Sequence, residues 1–373
     1  MGVAAAALTA TFCAGCSLGP TPDSAPVSGP SLAPAVPMGY VVCPAAVTPI
    51  ELSSRTPEAP ISLPVGGAPT LGNTAITVSP DGRWAYVVLG SPESSGFVRN
   101  EVVPIDLEVQ RAGRPITLPG AGPTRGVVVT EDGRTVLAAS GTTVVPVDRA
   151  TRVVGTPLDL GQGNTVAGLV RATSGPLVYA LVPNGVIPID TTTAQAKPAI
   201  TTGLQVSSLT SPHGITAAPG GTVLYVAGQS GTDFGGRVVP VTTATGSVGS
   251  AASFDRFGIA APAAVAVTSD GGRILVVDSA DNWITAVPVT DPGSGVLGAP
   301  ADPVRLPVAR PGEPATGHPS DIVTGPEGTG NFLVTGFDAV LPYDPATEKF
   351  GRPMPVCSGA TSMAVAPSRT PGA

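Results

Sequence analysis

Short apolar runs rich in valine recur along the chain, and a turn sequence bounds each of them. Six stretches consist of such a run, a turn that usually carries Asp-Gly or Gly-Gly, and a second run: ITVSPDGRWAYVV (76–88), VVVTEDGRTVLAA (127–139), GLVRATSGPLVYAL (168–181), ITAAPGGTVLYVA (215–227), VAVTSDGGRILVV (265–277) and IVTGPEGTGNFLV (322–334). This pattern predicts β-hairpins. No segment between residues 38 and 373 has the length and apolar period of a helix. The pattern therefore predicts an all-β protein.

A second apolar motif contains a proline and occurs once in each of seven units. Its members are VTPIE (47–51), VVPID (102–106), VVPVD (144–148), VIPID (186–190), VVPVT (238–242), AVPVT (286–290) and VLPYD (340–344), with prolines 42 to 55 residues apart. Proline lacks the N–H that a central strand needs. Its recurrence indicates a structural feature of a third strand, either a bulge or a position where the missing N–H faces no neighbour.

A further short strand follows the proline motif, as in RPITLP (114–119), TPLDLG (156–161) and RPMPVC (352–357). Asp106, Asp148, Asp190 and Asp344 lie at the turn between the third and fourth strands, where a carboxylate can accept backbone N–H groups. Four strands per unit at this period are typical of propeller blades.

The two ends of the repeat region complete each other. Residues 38–63 contain second, third and fourth strands but no first strand, whereas SMAVAP (362–367) is a first strand alone. Dividing residues 38–373 by seven gives 48 residues per blade, a propeller length. We predict a seven-bladed β-propeller of four-stranded antiparallel blades, closed by pairing of the N- and C-terminal strands.

The repeats resemble the YVTN-type seven-bladed propellers of bacterial surface and periplasmic proteins. SPDG (79–82), AYVV (85–88) and LYVA (224–227) carry this resemblance, which extends over about nine-tenths of the chain. It implies the fold but no single function, because related propellers include lactonases, quinoprotein and haem-binding domains, and proteins with no known ligand.

Composition narrows the possible partners. The net charge is −7, only 12% of residues are charged and no run of Lys or Arg occurs, which excludes nucleic acid as a partner. Aromatic residues make up 4% of the chain, so stacking platforms for sugars or bases are scarce.

The N-terminus contains an apolar run too short to span a bilayer, followed by FCAGC (12–16). It resembles a bacterial lipoprotein signal in which Cys16 is lipidated, although Cys13 replaces the usual aliphatic residue and no Lys or Arg precedes the run. One alternative is a plain secretory signal. The other is redox or metal chemistry of the C-x-x-C pair formed by Cys13 and Cys16. We expect a signal peptide over residues 1–15, a Pro-rich tether over 16–37 and the propeller over 38–373. The mature protein is expected outside the cytoplasm, where the lipid alone anchors it to the bacterial cell membrane.

Two cysteines remain in the propeller region. Cys43 ends the second strand of the composite blade and Cys357 precedes that blade's first strand, so the expected topology places both on one face of neighbouring strands. We predict a Cys43–Cys357 disulfide, which suits an oxidising compartment. Two buried free cysteines are the alternative.

The loops that enter the first strands lie around the central channel, on the face where related propellers bind ligands. Both histidines of the chain, His213 and His318, fall in these loops, together with Arg125 and Asp321. In one interpretation His213, His318 and Asp321 bind a ligand, hold a metal or transfer protons. In the other, which we favour, each side chain satisfies backbone groups of its own loop.

The sequence contains no catalytic signature such as G-x-S-x-G, H-E-x-x-H or a P-loop. DSADN (278–282) places two carboxylates on a loop, where a solvated turn is favoured over a cation site. We expect a monomeric binding or interaction platform without catalysis, metal or cofactor, whose partner is a protein or a small molecule. A lactonase-like hydrolase and a redox-cofactor propeller, both using the channel face, are the alternatives.

Overall fold

A computed structural model describes residues 36–64, 74–92, 98–120, 122–206, 213–259, 262–307, 318–326, 329–335 and 338–366. The predicted signal peptide, Cys16 and nearly all of the predicted tether lie outside these residues. Seven antiparallel sheets follow one another around a ring, which confirms the predicted propeller. Blade 1 contains both chain ends, and blades 2 to 7 follow in chain order. Strands a to d run from the channel outward.

Strand d consists of two short halves in most blades. In the order a, b, c and d, blade 1 contains Ser362–Val365, Met38–Cys43, Ala46–Glu51, and Thr56–Pro57 with Ile61–Ser62. Blade 2 contains Thr74–Val78, Trp84–Pro92, Val98–Asp106, and Arg111–Ala112 with Ile116–Thr117. Blade 3 contains Val127–Val129, Thr135–Ser140, Thr143–Asp148 and Leu158–Asp159. Blade 4 contains Gly168–Arg171, Leu177–Val182, Gly185–Asp190, and Gln195–Ala196 with Ile200–Thr201.

The remaining blades follow the same plan. In blade 5, Leu204–Gln205 and Ile215–Ala217 both pair with strand b, and the other strands are Val223–Ser230, Gly236–Thr242 and Ala252–Ser253. Blade 6 contains Pro262–Val267, Arg273–Asp278, Trp283–Asp291, and Val296–Leu297 with Val304–Arg305. Blade 7 contains Pro319–Thr324, Asn331–Thr335, Ala339–Asp344, and Lys349–Phe350 with Met354–Pro355. A 3₁₀ turn spans Asp255–Phe257. Within the described residues, no helix has the length and hydrophobicity to cross a membrane.

The core lies between the blades. Successive side chains of a strand point to opposite faces, so neighbouring valines pack against different blades. Val87 joins a cluster with Val42 and Val47 of blade 1, whereas Val88 joins a cluster with Val136 of blade 3. Both faces of each sheet are therefore buried, which explains the nearly continuous apolar runs of the sequence.

The recurring proline lies where strand d is interrupted. The carbonyl oxygen of each proline accepts a backbone N–H from the strand d side, at 2.7 to 2.9 Å; the donors are Glu58, Gly113, Gly155, Lys197, Gly249, Gly298 and Gly351. In an antiparallel strand the N–H and C=O of one residue point to the same side. The side of the proline that lacks an N–H thus faces the outer strand at its break, in agreement with the second explanation; the register shifts of the described strands lie elsewhere.

Each proline also has characteristic neighbours. On the strand b side it pairs with an aromatic residue in five blades: Tyr40, Tyr86, Tyr179, Tyr225 and Phe332. On the strand d side the facing residue is glycine in five blades. A Cβ atom at Gly249 would lie 2.8 Å from Cγ of Pro240, so glycine leaves the space that the proline ring fills.

The predicted carboxylate turns are present between strands c and d. The N–H of Thr151 donates to Oδ1 of Asp148 at 2.7 Å, and Asp106, Asp190 and Asp344 accept N–H groups at 2.9, 3.0 and 2.9 Å. These bonds hold the pKa of the Asp148 carboxyl below its usual value. Four residues after Asp148, Arg152 adopts a left-handed conformation with φ 61°, which completes the turn.

Blade 1 closes the ring, as predicted. Strand Met38–Cys43 pairs with Ser362–Val365 in the register Gly39 to Val365 through Val42 to Ser362. The Cys43–Cys357 disulfide is present at the same blade and joins residues 314 positions apart.

Replacing both Cys43 and Cys357 with Ser tests the contribution of this disulfide. We expect the free energy of unfolding to fall by about 4 to 5 kcal/mol, because the bond closes a very long loop in the unfolded chain. Urea unfolding of the oxidised protein and of the double variant measures the difference. Equal stability, or two alkylatable thiols in the native wild-type protein, would contradict the prediction.

Replacing Gly249 with Ala tests the proline–glycine pair. The added methyl group meets the ring of Pro240, so we expect a loss of about 1 to 3 kcal/mol in urea unfolding. Lys197→Ala is the matched control, since Lys197 occupies the same position opposite Pro188 and already carries a Cβ. It should change stability by less than about 0.5 kcal/mol. Similar losses in both variants would argue against steric contact as the cause.

Candidate functional site

The central channel forms a cavity of about 520 Å³ lined by the inner strands of all seven blades. Valine, alanine and threonine dominate its wall. Among the described residues that line the channel, Arg171 and His213 have ionisable side chains, and none is a carboxylate. The described channel surface therefore offers little acid–base chemistry.

His213 and Asp321 meet at the side of the channel where the inner strands begin. His213 precedes strand a of blade 5 and Asp321 lies in strand a of blade 7, yet His213 Nδ1 and Asp321 Oδ1 are 3.1 Å apart. Asp321 is fully buried and also accepts the N–H groups of Ile322 at 2.7 Å and Met363 at 2.9 Å. The carboxylate therefore bonds blade 5, its own strand and the C-terminal strand of blade 1.

Ser362 completes this group. His213 Nε2 lies 3.2 Å from Ser362 Oγ, and the Ser362 side chain also hydrogen-bonds to Asp321. The residue types and the order of contacts match those of a Ser-His-Asp triad. However, Ser362 has no exposed surface. Its hydroxyl also donates its single proton to Asp321, so that proton is not available to His213 as the general base. A substrate carbonyl has no approach to this oxygen.

The electrostatics of Asp321 reflect its burial. Loss of solvent raises the pKa of the carboxyl, while His213 and the N–H groups of Met363 and Ile322 act in the opposite direction. A buried carboxylate that lost these partners would be costly to keep in the fold. The group thus has a clear structural role as a connection between three blades.

The other two predicted residues lie apart from this group. His318 is exposed. Its Nδ1 lies 3.1 Å from the carbonyl oxygen of Ser279, and its backbone N–H donates to the Asn282 side chain. Ser279 and Asn282 belong to the b–c loop of blade 6. Arg125 makes no hydrogen bond or ion pair with His213 or Asp321 within the described residues. Burial lowers the pKa of Arg125, whose Nε has no hydrogen-bond partner in the described structure.

The side chains of His213, Asp321 and His318 contact other blades, whereas we expected each to bond within its own loop. Ser362 ends GATS (359–362), one of the entry loops, but a lone serine in a chain rich in hydroxyl residues carries no signal by itself. Its role depends on His213, 149 positions away, and on Asp321, 41 positions away, which the ring brings together.

The described residues contain no group of three or more His, Cys, Asp or Glu side chains placed to hold a metal ion. In the DSADN loop, Oδ1 of Asp278 accepts the N–H groups of Ala280 at 2.8 Å and Asp281 at 3.1 Å. This carboxylate therefore stabilises its own turn.

Three solved structures share this fold at low sequence identity. The periplasmic gluconolactonase PpgL of Pseudomonas aeruginosa is 15% identical with a TM-score of 0.63, over 90% of this chain and all of that one (100%). A putative 6-phosphogluconolactonase of Bacteroides uniformis is 14% identical with a TM-score of 0.64, over 88% and 99%. A protein of unknown function from Desulfotomaculum acetoxidans is 13% identical with a TM-score of 0.63, over 88% and 98%.

No family model and no curated protein sequence matches the chain. At these identities the three structures show the fold alone. The class is therefore a seven-bladed β-propeller, shared by lactonases and by proteins without a known function.

Replacing Asp321 with Ala tests the structural role of the buried group. The change leaves His213 and two backbone N–H groups without their acceptor, so we expect a loss of about 3 to 5 kcal/mol in urea unfolding. Ser362→Ala should cost about 1 kcal/mol, because it removes a neutral hydrogen-bonding group. Asp302→Ala, at a side chain that is 94% exposed, is the control and should leave stability unchanged. Wild-type stability of Asp321→Ala would refute the structural role.

Proposed function

We propose that this protein is a lipid-anchored, extracytoplasmic propeller that binds another molecule without catalysing a reaction. The observation that carries this proposal is the group of His213, Asp321 and Ser362, whose polar atoms contact one another and whose serine is fully buried. In the part of the channel wall that the structure describes, Arg171 is the one further ionisable side chain. A hydrolase needs a nucleophile or base that its substrate can reach.

The proposed location draws on two features. The Cys43–Cys357 disulfide suits an oxidising compartment. The FCAGC sequence at residues 12–16 resembles a lipidation site, and the proline-rich residues that follow are suited to act as a spacer. The FCAGC sequence and nearly all of the proline-rich segment lie outside the described residues, so the anchor is inferred from the sequence.

A lactonase-like hydrolase is the second candidate. It is supported by the fold shared with two proteins whose names include gluconolactonase, and by the position of His213 in the channel wall. The separation of His318 from His213 weighs against it, since the two histidines contact different loops. A redox-cofactor propeller is a third candidate, and a colourless purified protein would speak against it.

Hydrolysis of gluconolactone and of 6-phosphogluconolactone by the purified protein distinguishes these functions. We expect no proton release above the buffer rate in a pH-stat, because Ser362 is fully buried and both ring nitrogens of His213 lie against Asp321 and Ser362. Turnover that disappears in both His213→Ala and His318→Ala, with thermal unfolding showing folded variants, would establish the hydrolase instead.

A second arm of this experiment tests the anchor. In a bacterial host fed labelled palmitate, the wild-type chain should carry the label and Cys16→Ala should not. Unlabelled wild-type protein released into the medium would leave a plain secretory signal as the explanation.

A further inference from the structure

The apolar side chains that stay exposed on the propeller concentrate on one side of the ring. Strands a and c of a blade run in the same direction, so the a–b and c–d turns share one face, which we name the turn face. The b–c loops and the loops entering strand a share the opposite face, which we name the entrance face. Four of the six exposed large apolar side chains of the described residues lie in the c–d turns or at the turn-face end of strand d: Val109, Val153, Val248 and Val296.

The arrangement of these valines suits a flat surface. Val109 and Val153 are 68% and 61% exposed at blades 2 and 3, and Val248 and Val296 are 38% and 51% exposed at blades 5 and 6. Single exposed apolar residues are common on proteins, so their number carries no signal. The two pairs lie on different parts of the ring, separated by blade 4 on one side and by blades 7 and 1 on the other. A flat apolar layer can therefore contact both pairs together.

The chain also enters the propeller at the turn face. Val36 is the fifth exposed apolar residue, and the carbonyl oxygen of the next residue, Pro37, accepts the N–H of Leu52 at 2.9 Å. Leu52 directly follows strand c of blade 1, so this contact lies at the turn-face end of the blade. Residues 17–35 connect Val36 to Cys16, the predicted site of the lipid. A chain of this length spans about 25 Å on average as a random coil and about 60 Å when fully extended.

This point of entry favours the bilayer as the occupant of the turn face. Contact through the turn face needs only a short span of the tether, whereas contact through the entrance face requires the tether to pass around the ring. A short linker also gives the linked surface an effective concentration in the millimolar range, so a weak apolar contact is sufficient. A partner protein or a second copy of the chain has no such covalent connection to this face.

The sixth exposed apolar side chain lies on the entrance face. Phe234 is 62% exposed in the b–c loop of blade 5, between strands Val223–Ser230 and Gly236–Thr242. Its left-handed backbone, with φ 60°, is held in place because its carbonyl oxygen accepts Nε2 of Gln229 at 2.9 Å. Phe234 thus lies on the same face as the His213 group and opposite Val36, which makes it a reference position for any contact of the turn face.

We propose that the turn face rests on the surface of the bilayer that holds the lipid anchor; this rests on the anchor proposed above. The four valines reach the boundary between headgroups and acyl chains, where apolar side chains of peripheral proteins are buried. The entrance face, with the channel mouth and Phe234, then points away from the membrane. Molecules that reach the protein from the extracytoplasmic space therefore meet the entrance face.

A fluorescent label at one introduced cysteine tests this orientation. Cleavage before Cys16 removes Cys13, the lipid blocks Cys16, and Cys43 is bonded to Cys357, so the introduced thiol is the one that reacts. Gln195→Cys places an NBD label on the turn face at blade 4, and Phe234→Cys places it on the entrance face. The lipidated protein is inserted in phosphatidylcholine vesicles that contain phosphatidylcholine with a nitroxide on its headgroup. We expect the label at position 195 to lose about half of its fluorescence and the label at position 234 to lose none.

A variant of the valines separates apolar contact from mere proximity through the tether. In the Gln195→Cys protein, replacing Val109, Val153, Val248 and Val296 with Ser should reduce the nitroxide quenching by about threefold, because the apolar contact is lost. Phe234→Ser in the same protein is the matched control and should leave the quenching unchanged. Thermal unfolding should be unaffected in both variants, since all five side chains are exposed.

Three results would overturn the proposal. They are equal quenching at positions 195 and 234, full quenching in the four-valine variant, and a spectral shift at position 195 that depends on protein density without nitroxide quenching. The last result would assign the turn face to contact between copies of the chain.

The outcome is separable from that of the palmitate experiment. If the chain carries no palmitate, a Cys13→Ser/Cys16→Ser protein with an N-terminal hexahistidine tag on nickel-chelating lipids supplies an anchor at the same chain end. Selective quenching at position 195 in that protein would refute only the natural lipid anchor. Palmitate labelling without selective quenching would refute only the contact of the turn face.

Discussion

The antiparallel pairing of Met38–Cys43 with Ser362–Val365 is the interaction on which the rest of the ring depends. Each blade buries both of its faces, so no blade has a complete core without two neighbours. Blade 1 supplies its own inner strand from the opposite end of the chain. If that strand detached, the faces of blades 2 and 7 toward blade 1 would lose part of their apolar cover. Detachment of this strand would therefore destabilise blades 1, 2 and 7 together.

The buried polar group belongs to this closure. In the C-terminal strand, the N–H of Met363 donates to Asp321 of blade 7, and Ser362 contacts His213 of blade 5. This strand is therefore bonded to both blades. Histidine, aspartate and serine are common in catalytic sites, but their chemistry depends on a reachable reacting atom. Here burial and mutual bonding give these residues the role of a connection across the channel entrance.

The sequence predicted those features that local patterns control. Hairpin turns, the proline of strand c and the carboxylate turns each depend on a few consecutive residues, and they repeat in most blades. The break in strand d was not predicted, because its two-residue halves are too short to show an alternating pattern. The sequence brought His213 and Asp321 together only in the interpretation that was not favoured, since their contact depends on the curvature of the ring. No local signal encodes that distance.

The interrupted outer strands have a consequence for association between molecules. A propeller exposes one sheet edge per blade, and a long, regular edge strand can pair with the edge of another chain. In this ring the outermost strands are pieces of two residues, broken at the point where the proline removes a donor. Such short pieces cannot support a continuous intermolecular ladder. The short outer strands that accompany the repeated proline thus disfavour edge-to-edge aggregation of the ring.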